Sequence, residues 1–393
     1  MRNVRPILFL VLLTPCVEFL TGSTSFIAAV TVPSAAFTFF LLTWPSYAFP
    51  VLLIREAVVR WNKGLASLLA LGIAYGALNE GLLAKTYFAV TPTSPVLGGG
   101  VGVWIGVNWP WVTEITLFHM VVSISVPVVL SFLIFPETRQ VPFLSERSIR
   151  WLVGLTLFEV LGILVIESWF SLVFRALLPL ILIPTAILLL GIYLARRLPK
   201  PDGTRTLAGR FSRPGPLILA SLGFFLVTFV PVLAFFPVPF VPDWVPGMLL
   251  WKLGVLAAVL ATIYPIGVAA LALRFFGRYS LTEIQTLSIV TGVMLIPLTT
   301  ALAIHDLPQG DWFAAGVYIA CIIVAARRIR ARTARALGRG LPPVAAKPSD
   351  DPKREVGPGE KRYPVPEVEA GEAANAGLGL RVRRFAGAIL PPL

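Results

Sequence analysis

The chain contains few charged residues, little cysteine and almost no histidine. Only 13% of its 393 residues are Asp, Glu, Lys or Arg, whereas soluble proteins carry about 25%. Two cysteines exclude a disulfide framework and a cysteine-based metal site, and two histidines exclude a histidine-rich metal centre. Hydrophobic residues make up 56% of the chain, and the mean hydropathy is +0.82. Because a soluble fold cannot bury so much apolar surface, the sequence predicts a polytopic membrane protein.

Apolar segments long enough to cross a bilayer recur through the first 326 residues. A sliding hydropathy window predicts ten transmembrane helices, near 6–21, 35–55, 65–84, 111–135, 151–174, 177–195, 217–236, 248–273, 286–305 and 312–326. We therefore expect an all-α transmembrane bundle over residues 1–326 and a basic, largely disordered tail over residues 327–393. A cleaved signal peptide is the alternative for the first segment, but Pro15 and Glu18 interrupt its apolar run.

Basic residues are concentrated in alternate connections between the predicted helices. One set of connections contains Arg2, Arg5, Arg55, Arg60, Lys63, Arg139, Arg147, Arg150, Arg196, Arg197, Lys200, Arg205, Arg210, Arg213, Arg274 and Arg278. The opposite connections contain Lys85 and Arg175, and Lys252 lies near the outer end of the eighth helix. The positive-inside rule therefore predicts a protein of the cytoplasmic membrane with both termini in the cytoplasm.

The tail carries the remaining positive charge. Six arginines follow the last predicted helix directly: Arg327, Arg328, Arg330, Arg332, Arg335 and Arg339. We expect them to contact anionic lipid headgroups, an interaction worth about 1 kcal/mol per basic residue near the surface. Since no folded nucleic-acid-binding module accompanies these residues, nucleic acid is not an expected partner, despite the net charge of +13.

Acidic side chains inside the predicted helices are the most informative feature of the sequence, because a buried acid is costly to insert and is usually functional. Five glutamates have such positions: Glu18, Glu80, Glu114, Glu159 and Glu167. From the rise per residue of a helix, Glu18, Glu80 and Glu114 lie roughly 4–7 Å below the outer boundary, and Glu167 and His119 lie about 10–12 Å below it. Glu159 lies nearer the midplane. The sequence thus predicts an ion- or substrate-binding layer in the outer half of the bundle, with Glu80, His119, Glu159, Glu167 and Glu18 as its candidate residues.

The third predicted helix indicates how Glu80 reaches the interior. Gly72, Gly76 and Glu80 recur at every fourth residue, so a neighbouring helix can approach closely along this stripe. On the fourth helix Glu114 points about 140° away from His119. We therefore expect Glu114 to lie beside the headgroups in contact with water.

Two external segments accompany this layer. Residues 85–111 are rich in glycine and tryptophan and too apolar for a free loop, so we expect them to dip into the membrane interface, either as a lid over the acids or as simple packing. At the outer end of the ninth helix, His305 and Asp306 are expected in a surface loop.

A short stretch resembles a known family. Gly76-Ala-Leu-Asn-Glu-Gly-Leu-Leu-Ala-Lys85, followed by Leu117-Phe118-His119, resembles the first two motifs of the CAAX-protease and bacteriocin-processing intramembrane metalloproteases. The resemblance covers residues 72–135 and implies that Glu80 is a catalytic acid or metal ligand and His119 a metal ligand. Asn79 replaces the family's first glutamate, Lys85 lies one place late, and the second histidine motif has no counterpart. These departures suggest an inactive or repurposed relative.

Three functions are compatible with these observations. Buried carboxylates and helices broken by proline are typical of transporters, which favours a proton- or cation-coupled transporter of an ion or small solute. A metal-dependent intramembrane hydrolase, active or degenerate, would use Glu80 and His119. A structural or assembly protein would satisfy the same acids with neighbouring polar groups. No cofactor is identified by the sequence.

Overall fold

The computed structural model describes residues 4–21, 23–88, 102–170, 177–201, 203, 205–207, 209–233, 254–303 and 311–338. The described chain is an α-helical bundle with one small hairpin, so the all-α prediction is confirmed. The helices are α1 Val4–Leu13, α2 Cys16–Leu20, α3 Phe26–Thr31, α4 Pro33–Arg60, α5 Leu65–Leu83, α6 Trp109–Ile134, α7 Glu146–Phe170, α8 Leu177–Arg197, α9 Pro214–Leu233, α10 Gly254–Phe276, α11 Glu283–Ala303 and α12 Asp311–Gly338. The strands are β1 Val103–Trp104 and β2 Val107–Asn108, which pair antiparallel.

Eight helices in the described part of the chain are long and apolar enough to cross a membrane, namely α4 to α8 and α10 to α12. The two other predicted spans correspond to α1 with α2 and to α9. Helices α1 and α2 are separated at Thr14–Pro15, because Pro15 has no N–H to continue the hydrogen-bond ladder. Helix α12 continues to Gly338, so the first part of the predicted tail beyond residue 326 is helical.

Helices α5 and α6 form the centre of the bundle. In each of them 83% of the most apolar 18-residue stretch is buried inside the protein, compared with 11% in α7 and 17% in α8. The two central helices cross at very short range: a Cβ added to Gly72 would lie 2.7 Å from the Cα of Met120, and one on Gly76 would lie 2.9 Å from the Cα of Thr116. The predicted glycine stripe is therefore confirmed as a surface of close helix contact.

Within the described ranges, three of the membrane helices contain a π-helical turn. These turns are Phe39–Thr43 in α4, Ala77–Leu83 in α5 and His119–Ser125 in α6. In α5 the N–H of Ala84 donates to the carbonyl of Asn79, five residues earlier, at 2.7 Å. The extra residue rotates the following side chains by about 100° around the helix axis. Such turns are frequent at functional sites, and here they carry or adjoin the polar residues described below.

The basic connections meet at one end of the bundle, and a buried ion pair organises them. Arg55 is fully buried, and its Nη1 lies 2.6 Å from Glu56 Oε1. The Nη2 of Arg55 donates to the carbonyls of Thr138 and Val141, and Glu56 accepts the N–H of Phe143 at 2.7 Å. These bonds hold the connection between α6 and α7 against the end of α4.

Hydrogen bonds to other helices position the basic part of α12 at the same end of the bundle. Arg328 donates to the carbonyl of Ile134 at 2.8 Å, and Arg332 donates to the carbonyl of Leu133 at 3.1 Å and to Glu283 at 2.7 Å. Since these carbonyls belong to the last turn of α6, the two arginines complete its C-terminus. The remaining predicted headgroup contacts on this helix have exposed side chains: Arg327, Arg330 and Arg335. Arg339 lies outside the described residues.

Candidate functional site

Glu80 and His119 form a buried pair between α5 and α6. The Nε2 atom of His119 lies 2.6 Å from the Oε1 atom of Glu80, and the two residues are 2% and 7% exposed. Two unprotonated acceptors would repel at this distance, so a proton lies between the imidazole and the carboxyl group. The structure thus brings together the two residues that the sequence placed in one layer.

Ser123 and Tyr75 fix the orientation of the imidazole. The Nδ1 atom of His119 lies 2.8 Å from Ser123 Oγ, one turn further along α6, and the Tyr75 ring meets the imidazole edge to face at a centroid distance of 5.4 Å. Glu80, His119 and Ser123 are the residue types of a nucleophilic triad. However, Ser123 is fully buried, so its hydroxyl is closed to a substrate and serves here to orient the ring.

Hydrogen-bond donors other than His119 also contact the carboxyl group of Glu80. Asn79 Nδ2 donates to Glu80 Oε1 at 3.1 Å, and the Thr86 hydroxyl donates to Oε2. Thr86 in turn accepts the indole N–H of Trp111 at 3.0 Å. The carboxyl group is therefore covered by the short connection after α5 and by the first turn of α6.

A second carboxyl group lies beside this pair. The Tyr47 hydroxyl of α4 donates to Glu18 of α2. Asn79 Nδ2 lies 3.5 Å from the Tyr47 hydroxyl and 3.5 Å from His119 Nε2, which is the outer limit for a hydrogen bond. Asn79 is therefore the link between the Glu18–Tyr47 contact and the Glu80–His119 pair. Four helices supply this set of residues, which we call the outer polar network: Glu18, Tyr47, Asn79, Glu80, His119 and Ser123.

Of the predicted binding residues not named above, the structure describes the side chain of Glu159 only. Glu159 is half-buried on α7, and its Oε2 atom has no hydrogen-bond partner among the described residues. The side chain of Glu167, in the last turns of the same helix, lies outside the described part of the chain. His305 and Asp306 also lie outside it.

Glu114 differs from the prediction. It is only 6% exposed, and within the described chain its Oε2 atom has no hydrogen-bond partner. The expectation that it lies in water beside the headgroups is therefore wrong. The reason is tertiary packing: α10 covers this region of α6, and the neighbouring Thr113 contacts the carbonyl of Ala261 at 3.4 Å.

The sequence did not predict three residues in or beside the outer polar network, namely Tyr47, Asn79 and Thr86. Tyr47 carried a usable signal, because a tyrosine within an apolar helix needs a partner for its hydroxyl. Asn79 was noted only as a departure from a motif. Thr86 follows the π-helical turn of α5, and its proximity to Glu80 depends on a backbone geometry that the sequence does not reveal.

Glu80 and His119 are also the candidate metal ligands. No group of three or more His, Cys, Asp or Glu side chains able to hold a metal occurs among the residues that the structure describes. A metal bound by these two residues would have to replace their mutual hydrogen bond of 2.6 Å and recruit ligands of another kind. The described donor set therefore fits a shared proton better than a metal ion.

The helices and their buried polar groups define the class of the molecule, a multi-pass α-helical membrane protein. Residues 7–334 match a family described as an uncharacterized membrane protein family, and the chain belongs to it. This match runs from α1 into α12 and shows no relationship to the CAAX proteases. No curated protein and no solved structure matches the chain.

Proposed function

We propose that the protein is a membrane transporter in which the Glu80–His119 pair binds and releases a proton, either alone or together with a small solute or cation. The observation that supports this function is the hydrogen bond of 2.6 Å between two buried titratable side chains, Glu80 and His119, on the two central helices. Intramembrane carboxylates and histidines that pair with each other are typical of proton relays. Both residues lie on π-helical turns, which are frequent at functional sites.

The neighbouring groups suggest how such a pair would work. Either the carboxylate or the imidazole can hold the proton between them. A cation would bind at Glu80 only when that proton is on His119 or has been released from the pair. Glu18 and Tyr47 lie on the same network and provide a second acceptor and a hydroxyl that can donate or accept. Helix α2 follows the break at Pro15, and broken helices are common at transporter sites.

Proton flux into liposomes tests this function. Purified protein is reconstituted with a pH-sensitive dye inside the vesicles, a potassium diffusion potential is imposed, and small solutes and cations are added in turn. We expect the wild type to carry protons under at least one of these conditions, and Glu80→Gln and His119→Gln to lose the flux. Glu137→Gln is the matched control, because Glu137 is exposed at the basic end of the bundle. Flux in Glu80→Gln equal to that of the wild type would contradict the proposal, and an effect on stability alone would favour the structural role.

A metal-dependent hydrolase at the same residues is the second candidate, favoured by the sequence resemblance around Glu80 and His119. It predicts about one transition metal per chain in the purified protein. Loss of that metal in both Glu80→Gln and His119→Ala would replace the transporter proposal. A metal content that these substitutions do not change would exclude the hydrolase hypothesis.

The orientation in the membrane is part of the same proposal. In this orientation both termini face the cytoplasm. It is supported by the basic connections, which lie together at one end of the bundle, because basic residues are concentrated on the cytoplasmic side of membrane proteins. Arg327, Arg330 and Arg335 contact anionic headgroups there, whereas Arg328 and Arg332 bind protein groups. Labelling of single cysteines by an impermeant reagent in intact cells tests the orientation.

A further inference from the structure

The hairpin before α6 has an unusual turn. Strands β1 and β2 are joined by Ile105 and Gly106, whose φ angles are +50° and +78°. Such two-residue turns favour Asn-Gly or Asp-Gly, because both central residues need positive φ. A β-branched residue rarely adopts this conformation. Isoleucine is therefore an unfavourable residue at this position of the turn, and we infer that its side chain has a role at the tip of the hairpin.

The base and the tip of the hairpin have opposite surroundings. Val107 is fully buried and packs with Tyr87 and Val112. In contrast, Trp104 is 70% exposed and Ile105 is 56% exposed. The hairpin thus has a fixed base and presents two large apolar side chains next to each other at its tip.

The hairpin is connected directly to a membrane-spanning helix. Asn108 caps α6 by accepting the N–H of Trp111 at 3.3 Å, and the indole N–H of Trp109 donates to the carbonyl of Trp104 at 3.2 Å. At about 3.3 Å per strand residue, Ile105 at the tip lies at most roughly 13 Å from Trp109, the first residue of α6. The headgroup layer on each side of the hydrocarbon core is about 5–7 Å thick, so the tip is within reach of it.

We propose that Trp104 and Ile105 insert into the interfacial layer of the lipid leaflet at this end of the bundle, with phospholipid as the partner. Tryptophan is enriched at this depth of membranes, where its apolar ring and its N–H are both accommodated. Insertion of Ile105 removes an apolar side chain from water, which offsets the unfavourable turn.

Depth-dependent quenching tests this contact. In a background lacking Cys16 and Cys321, a single cysteine at Ile105 (I105C) is labelled with an environment-sensitive dye, and the full-length protein is reconstituted in phosphatidylcholine–phosphatidylglycerol vesicles. Trp104→Cys is a second tip position. We expect a blue-shifted emission, strong loss of fluorescence with nitroxide lipids labelled near the headgroup, weaker loss with lipids labelled near the chain end, and protection from aqueous iodide.

Two reference positions calibrate the result. Phe158→Cys reports a side chain that is 74% exposed in the middle of α7, and Gln140→Cys reports an exposed position in a polar connection. Iodide quenching at the tip as strong as at Gln140, without lipid quenching, would overturn the inference. Protection from both iodide and lipid quenchers, with crosslinking between copies, would assign the tip to a protein contact and overturn it as well.

Discussion

The carboxyl group of Glu80 offers the sharpest test of the outer polar network through stability. It accepts hydrogen bonds from His119, Asn79 and Thr86. Glu80→Ala removes all three hydrogen bonds. It also leaves the Nε2 proton of His119 without an acceptor, although the side chain of His119 is only 2% exposed. A stranded buried donor costs about 1–3 kcal/mol, and each of the other lost bonds costs about 0.5–1.5 kcal/mol. We therefore expect Glu80→Ala to lower the free energy of unfolding by about 2–6 kcal/mol.

Glu80→Gln removes the charge but keeps an acceptor of the same size. The amide oxygen can still face His119 and Asn79, and the amide group can face Thr86, whose hydroxyl can rotate. We expect a loss of only about 1 kcal/mol. This variant therefore separates loss of function from loss of fold, which Glu80→Ala cannot do.

Thermal unfolding of the protein in detergent, followed with a thiol-reactive dye and by size-exclusion chromatography, measures both variants. Glu137→Ala is the control, because a substitution at that exposed position should change the stability by less than about 0.5 kcal/mol. Equal stability of Glu80→Ala, Glu80→Gln and the control would refute the hydrogen bonding described for the carboxyl group.

Three further substitutions, with Gly154→Ala as a control for one of them, test buried groups and close packing elsewhere in the bundle. Glu56→Ala leaves the guanidinium of Arg55 buried without its partner and should cost about 3–5 kcal/mol; a loss below about 1 kcal/mol would mean that the pair is exposed to water. Gly72→Ala should lower the free energy of unfolding by about 1–3 kcal/mol, because the added Cβ would lie 2.7 Å from the backbone of Met120. Its control, Gly154→Ala, has nothing within 4 Å of the added Cβ and should be neutral or stabilising. Similar stability of the two variants would contradict the close crossing of α5 and α6. Glu114→Leu should raise the stability by about 1–3 kcal/mol, since it removes a buried carboxyl oxygen without a partner in the described chain; a loss of stability would indicate a partner for that carboxyl group.

The helical architecture followed from the sequence because hydropathy over a long window is a strong signal. The glycine stripe at Gly72 and Gly76 was also visible, since small residues at every fourth position have few other uses in a membrane helix. The shared depth of Glu80 and His119 followed from the rise per residue alone, and both residues lie in the network.

The rest depended on tertiary structure. Glu114 was expected in water because helical geometry gives its direction but not what covers that side of α6. Arg55 was counted among the connecting basic residues, although the connection after α6 folds over it and buries it completely. Tyr47 and Thr86 approach the acids through π-helical turns and a short connection, which no periodicity of the sequence indicates.

The central claim is that Glu80 and His119 share a proton that the pair can release. Infrared difference spectra of the protein in lipid, recorded on stepping the pH through the physiological range, test it most directly. We predict a carboxyl signal that is absent in Glu80→Gln and displaced in His119→Gln, while Glu137→Gln retains it. A spectrum of Glu80→Gln identical to that of the wild type would show that the proton on this pair is fixed, and would contradict the claim.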